Sequence, residues 1–141
     1  MARLNPYLNF NGNSEEAFNF YRSVFGGDFA MIMRFKDSPP EYAGAPSESD
    51  KIMHVSFPIG NANILMGSDI PDGMGKVNNG NNVSISIGTD SEDEATKLFN
   101  DLSAGGKVTM PIGKTFWGSY FGMLIDKFGI NWMVSYDYNR A

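Results

Sequence analysis

The sequence predicts an α+β domain built from two β-α-β-β-β units whose mixed sheets enclose a cleft. Three observations predict it. Short apolar runs alternate with polar residues at a period of two, two amphipathic helical stretches interrupt them, and the same order of elements occurs twice along 141 residues. A chain of this length has the usual size of one domain, so residues 1–141 are expected to form a single domain. Within it, unit one covers about 3–66, a connection 67–81, and unit two about 82–138.

In unit one, Leu4 to Phe10 reads as a strand with Leu8 and Phe10 on one face and Tyr7 and Asn9 on the other. Asn11-Gly12-Asn13 breaks it, and Asn13 or Ser14 is placed to cap a helix from Glu15 to Phe25. That helix carries Ala17, Phe18, Tyr21, Val24 and Phe25 on one stripe and ends at Gly26-Gly27. Strand Phe29 to Phe35 follows. Lys36 to Asp50, with three prolines and a glycine, reads as a loop. Strand Lys51 to Ile59 puts Met53, Val55 and Phe57 on one face and Ile52, His54 and Ser56 on the other. Gly60-Asn61 turns the chain into strand Ala62 to Met66.

Gly67 to Asn81, with four glycines, a proline and three asparagines, connects the halves. Strand Asn82 to Ile87 then alternates Val83, Ile85 and Ile87 with Asn82, Ser84 and Ser86. Asp90 or Ser91 caps the helix Glu92 to Ser103, which turns Ala95, Leu98, Phe99 and Leu102 inward before Gly105-Gly106. Strand Lys107 to Pro111, a bulge or loop at Gly113 to Trp117, strand Tyr120 to Ile125, a turn at Asp126 to Gly129 and strand Ile130 to Tyr136 complete unit two. The two helical regions match in residues as well as order. Ser14-Glu15-Glu16-Ala17 through Gly26-Gly27 parallels Glu92-Asp93-Glu94-Ala95 through Gly105-Gly106, as a duplication would leave them.

Composition excludes several classes of function. Sixteen acidic residues against eleven basic ones give a net charge of −5, and the basic residues are scattered, so no surface is expected for nucleic acid. No run approaches the roughly 18 apolar residues a membrane helix needs, so no membrane partner is expected. The start, Met-Ala-Arg-Leu-Asn-Pro, has no apolar signal region, and a cytoplasmic location is expected. The absence of cysteine removes disulfides, thiolate metal sites and cysteine nucleophiles together.

Pro6-Tyr7-Leu8-Asn9-Phe10-Asn11-Gly12-Asn13, Met66-Gly67-Ser68-Asp69, Thr115-Phe116-Trp117-Gly118 and Asp126-Lys127-Phe128-Gly129-Ile130-Asn131-Trp132-Met133 resemble the signature stretches of PhnB-like proteins. These are a branch of the glyoxalase/bleomycin-resistance/dioxygenase, or vicinal-oxygen-chelate, superfamily. The resemblance runs essentially full length and implies the glyoxalase-like fold. Some members carry a demethylubiquinone methyltransferase label. Here no glycine-rich loop follows a strand and no acidic residue is placed for a ribose, so that label is not carried over.

The resemblance implies metal ligands on the first and last strand of each unit, His or Gln on the first and Glu on the last. Carried across, those places fall at Asn5 or Pro6, at Asn82, at Ile64 or Leu65, and at Met133. None is a histidine or a carboxylate, which hard and borderline divalent metals require, so no metal and no other cofactor is expected. A divalent metal belongs to the alternative reading, a metal-dependent lyase, dioxygenase or resistance-type transferase of the same superfamily.

His54 is the one histidine. Such a residue is most often structural, but imidazole exchanges a proton near neutral pH and the strand parity turns this one away from the apolar face. The same parity adds Ser56, Tyr7, Asn9, Asn82, Ser84 and Ser86, an uncharged polar floor for a small-molecule ligand. Trp117, in a loop beside Gly118, is placed to wall that cleft, although the aromatic cluster Phe116 to Trp132 also serves packing. No nucleophile, base and orienting group occur together. Glu15-Glu16 and Glu92-Asp93-Glu94 sit in first helical turns, where they favour the helix dipole, and Asp126 is placed to shape its turn. The function expected is binding of an unknown small molecule, by a homodimer that covers the open sheet edges.

Overall fold

In the computed structural model, which describes residues 1–42 and 44–139, the expected order of elements occurs twice. The chain divides after Asn78 into two units. The first holds β1 (Tyr7–Phe10), α1 (Ser14–Phe25), β2 (Met31–Arg34), β3 (Ile52–Ile59) and β4 (Asn63–Asp69). The second holds β5 (Ile85–Gly88), α2 (Glu92–Ser103), β6 (Lys107–Lys114), β7 (Ser119–Ile125) and β8 (Asn131–Asp137). Each unit forms a four-stranded mixed sheet, in the orders β1-β4-β3-β2 and β5-β8-β7-β6. The first strand of each unit runs parallel to the last, and the other pairings are antiparallel.

Strand ends depart from the sequence expectation where pairing begins or continues. β1 starts at Tyr7 rather than Leu4, since its partner β4 is met only from Met66 onward. β4 continues through Asp69, so Gly67, Ser68 and Asp69 belong to a strand and not to the connection. β5 begins at Ile85, which leaves Asn82, Val83 and Ser84 ahead of the strand, with Val83 72% exposed instead of facing the core. β6 runs on through Pro111 to Lys114 by shifting register against β7. An edge strand tolerates that proline because one side of it needs no donor. The Lys36 to Asp50 loop contains 3-10 turns at Phe35–Asp37, Pro40–Tyr42 and Pro46–Glu48.

The helices pack on one face of their own sheet. In the first unit Ala17, Phe18 and Tyr21 of α1 are fully buried, with Val55, Phe57 and Leu65 from the strands. Phe18 meets Phe10, Tyr21 and Phe29 edge to face at 5.6 to 6.5 Å. Phe18 lies so close to Gly67 that a Cβ there would sit 2.6 Å from its ring and 2.8 Å from the Leu8 carbonyl oxygen. In the second unit Phe99 of α2 closes in the same way on Gly122 of β7, over a core of Trp132, Leu124, Val134, Ala95 and Leu102.

Ile52 corrects the predicted parity. Arg34 pairs with Ile52 while Met33 pairs with His54, so Met53 is an extra residue in β3. The bulge turns Ile52 to the helix side, where it is 1% exposed, while His54 and Ser56 stay opposite Val55 and Phe57.

The cap of α1 is also not the expected one. Asn13 makes no side-chain cap hydrogen bond, and Ser14 Oγ is buried without a partner. Asp69 supplies the acceptor from β4. Its Oδ1 accepts the Ser14 N–H and its Oδ2 the Ile52 N–H, both at 2.9 Å. α2 follows the sequence expectation, with Ser91 Oγ accepting the Glu94 N–H at 3.0 Å. Asp126 shapes its turn as expected. Oδ1 accepts from the Phe128 and Ile130 N–H groups, and Oδ2 from Trp132 Nε1.

Ion pairs fasten the chain between β2 and β3. Arg34 forks onto Glu15 of α1 at 2.6 and 3.1 Å, Lys36 pairs with Asp50, and Lys51 bridges Glu48 and Asp72. The hydrogen-bonded Arg34 holds the Glu15 carboxyl below its ordinary 4.5, and Lys36 and Lys51 hold Asp50 and Asp72 below 3.8. A carboxyl lowered in the folded state stabilises the fold above its unfolded value, and that contribution is lost as pH falls through the folded value. Urea stability is therefore expected to hold above pH 4.5 and to decline below it. Glu15→Gln should be less stable at neutral pH and should flatten part of the acid decline. An acid limb identical to that of the unaltered chain would refute the Arg34 clamp.

Candidate functional site

The face of each sheet turned away from its helix is open. On the first sheet, alternation from the buried Val55, Leu65 and Gly67 brings Tyr7, Asn9, Met31, Met33, His54, Ser56, Met66 and Ser68 to that face. Two rows cross it. One runs Tyr7, Met66, Ser56, Met31 by paired Cα positions. In the next, Asn9 pairs with Ser68 and Met33 with His54. No lysine, arginine, aspartate or glutamate of the four strands lies on this face among the described residues.

Tyr7 and His54 are brought together across β4. The phenol oxygen and His54 Nδ1 share a hydrogen bond of 3.3 Å, and the ring centroids are 5.7 Å apart. Tyr7 remains 44% exposed and His54 is half-buried. Nδ1 is engaged, so Nε2 is the nitrogen left to give or take a hydrogen bond. Ser56 and Asn9 share the face, and among the described residues no hydrogen bond joins either side chain to the Tyr7–His54 pair.

The other expected residues belong to the second unit. Ser86 is on its open face opposite Met133. Asn82 and Ser84 precede β5 instead of lying within it, so the strand alternation that nominated them does not reach them. Trp117 is in the turn between β6 and β7, as expected. It is 52% exposed and packs against Phe121 at 5.7 Å and Phe116 at 5.1 Å.

Sequence reasoning missed the thioethers. Met31, Met33 and Met66 lie on the first open face, and Met110, Met123 and Met133 share a cross-strand row with Ser86 on the second. The signal was the same alternation that placed His54, since Met31 and Met33 are two residues apart and Met66 has the parity of Ser68. Methionine reads as a core filler by composition, and that reading hid them.

The metal that the fold class implies does not fit. On the last strands, Met66 pairs with Tyr7 and Met133 with Ser86, so both open faces carry a thioether beside the first strand. Leu65 is buried in the helix-side core, while Asn5 and Ile64 line a hollow with Arg3, whose guanidinium opposes a cation. No group of three His, Cys, Asp or Glu side chains that could hold a metal ion occurs among the described residues. Thioethers and lone amides are poor donors for hard divalent ions. The helix N-termini are also engaged from within, α1 by Asp69 and α2 by Ser91, with Glu94 accepting the Asp90 N–H.

Comparison with known proteins places this geometry. A family model described as 3-demethylubiquinone-9 3-methyltransferase matches residues 2–135. Protein PA1353 from Pseudomonas aeruginosa is 42% identical, with a TM-score of 0.87 over 97% of this chain and 98% of that one. The PhnB protein from Bacillus cereus is 26% identical, with a TM-score of 0.75 over 96% of this chain and 99% of that one. A glyoxalase-related enzyme from Fulvimarina pelagi, at 16% identity, shares the fold with a TM-score of 0.61 over 96% of this chain and 89% of its own. No helix among the described residues is long and apolar enough to cross a membrane.

Proposed function

The chain belongs to the PhnB-like family described as 3-demethylubiquinone-9 3-methyltransferase and has the glyoxalase-like fold, and from that premise we propose that it binds a small molecule on the open face of its first unit. The observation that carries this reading is the Tyr7–His54 pair, a hydrogen-bonded phenol and imidazole on an uncharged face with Nε2 left open. Asn9 and Ser56 add polar contacts around it. Ser86 and Trp117 are the corresponding candidates on the second unit, and Asn82 and Ser84 contribute at most from the segment ahead of β5. Binding is preferred to methyl transfer because Asp69 already accepts the Ser14 N–H of α1 and Ser91 the Glu94 N–H of α2, which disfavours an anionic cofactor group there, and to metal-dependent chemistry because the donor set is wrong for a divalent ion.

The test pairs stability with ligand response. His54→Ala should leave the unfolding midpoint nearly unchanged, whereas Val55→Ala, fully buried on the opposite face, should cost on the order of 2 kcal/mol by cavity formation. Compounds that raise the melting temperature should lose their effect on His54→Ala and Tyr7→Phe and keep it on Lys97→Ala, an exposed position of α2. If His54→Ala is the more damaging substitution, His54 is a core residue and the site is wrong.

The second part of the reading is a homodimer. β2 and β6 are edge strands that expose Met31, Ile32, Val108 and Met110, and Phe116 is 98% exposed beside Trp117. Apolar edges of this kind need a cover, and a second copy supplies one. Light scattering should give twice the 15.5 kDa chain mass at tens of micromolar, on the order of concentrations where a stable interface is filled. A clean monomer refutes the dimer.

A further inference from the structure

Resting on the reading that the open face of the first unit is a ligand site, we infer that its ligand is a neutral, planar aromatic molecule bearing a hydrogen-bonding group. The argument begins with the surface itself. Met66 lies between Tyr7 and Ser56 in one cross-strand row, Met31 ends that row, and Met33 lies directly across from His54 in the next. Thioethers therefore stand on both strands that flank β3. Sulfur in this form is polarizable, a weak acceptor and no donor, and it makes favourable contacts with aromatic rings. Neighbouring strands are about 4.8 Å apart, so a flat molecule of two fused rings spans adjacent strands and meets several of these side chains at once.

Charge selects further. With no cationic or anionic side chain of the strands on the face, a ligand carrying a carboxylate or ammonium group would lose hydration without gaining a counter-charge. A neutral ligand pays no such penalty. Orientation comes from the Tyr7–His54 pair. Its hydrogen bond occupies Nδ1 and fixes the imidazole, which leaves Nε2 as the polar contact at the edge of a thioether floor. The two rings, 5.7 Å apart and tilted by 33°, are aromatic neighbours for a third ring on the same face. The row Ser86, Met133, Met123, Met110 of the second unit has the thioethers without an imidazole, so the anchored site is assigned to the first unit.

Full-length protein labelled with carbon-13 at the methionine methyls tests this by NMR. The probes are β-naphthol, which is neutral, and β-naphthoate, the same rings with an ionised carboxylate. The methyl signals are assigned with Met33→Leu and Met66→Leu, which keep volume and are expected to fold. β-Naphthol should shift the Met33 and Met66 methyls upfield in a saturable way, bind roughly tenfold more weakly to His54→Ala, as loss of one hydrogen bond predicts, and bind more tightly than β-naphthoate. Equal affinity for the two probes at the same methyls overturns the selection for neutral ligands. Shifts confined to Met110, Met123 and Met133 overturn the assignment to the first unit. A third arm separates this inference from the reading beneath it. If aliphatic or charged compounds of a mixed set perturb Met33, Met66 and the His54 ring while β-naphthol does not, the aromatic inference falls and the site stands. If no compound of any class perturbs them, both fall.

Discussion

Asp126→Ala is expected to cost the second unit about 3 to 5 kcal/mol, because it strands three donors that share one buried carboxylate. Asp126 is 3% exposed. Its two oxygens take the Phe128 N–H at 2.8 Å, the Ile130 N–H at 3.0 Å and the buried Trp132 indole N–H at 2.8 Å. Each donor loses a charge-assisted bond, and the Trp132 indole, in a buried residue, cannot turn to water instead. Asp126→Asn should cost less, since a single amide oxygen can still serve the two backbone donors while its NH2 faces the indole N–H. Urea unfolding followed by Trp132 fluorescence, in a Trp117→Phe background, measures both. An alanine variant within 1 kcal/mol of the parent, roughly the value of one ordinary hydrogen bond, would refute the clamp.

Asp69→Ala is expected to cost the first unit about 3 to 4 kcal/mol by the same physics with two donors instead of three. The comparison that makes the result specific is Ser14→Ala. A serine at the start of a helix invites the role of cap, yet Ser14 Oγ is buried without a partner and the Ser14 N–H is served by Asp69. Removing that hydroxyl should therefore change stability by less than about 1 kcal/mol, with either sign. If Ser14→Ala proves as damaging as Asp69→Ala, the helix is capped locally and the carboxylate is not its partner. Circular dichroism during urea unfolding distinguishes the two outcomes.

The contrast between these aspartates shows what the sequence carries and what it does not. Asp126 bonds to residues two, four and six positions ahead, so its role follows from local turn chemistry. Asp69 bonds to residues 55 and 17 positions behind it, and nothing near it in the chain announces either partner. The same distinction holds for the fold. Alternation and paired glycines made strands, helices and the duplication readable, whereas the parallel pairing of β1 with β4 and of β5 with β8 is a property of the assembled sheet. At the candidate site, parity gave the direction of Tyr7, His54 and Ser56. The meeting of Tyr7 with His54 depends on β4 lying between their strands, and so lay beyond a strand-by-strand reading. Ile52 was misplaced for a third reason, since a bulge is one residue of irregularity that a strict period of two cannot register.

The bulge at Met53 also marks where β3 can change length in evolution. Along a regular strand, losing one residue reverses every side chain beyond the gap, which in β3 would exchange Val55 and Phe57 with His54 and Ser56. Met53 is the extra residue between two ladder pairs, so its deletion would join Ile52 directly to His54 and bring Arg34 and Met33 into unbroken register with them. Ile52 would still face α1 and His54 would still face away. Among relatives of this chain, single-residue gaps in β3 should therefore collect at position 53, and a chain lacking that residue should keep both its core and its open face.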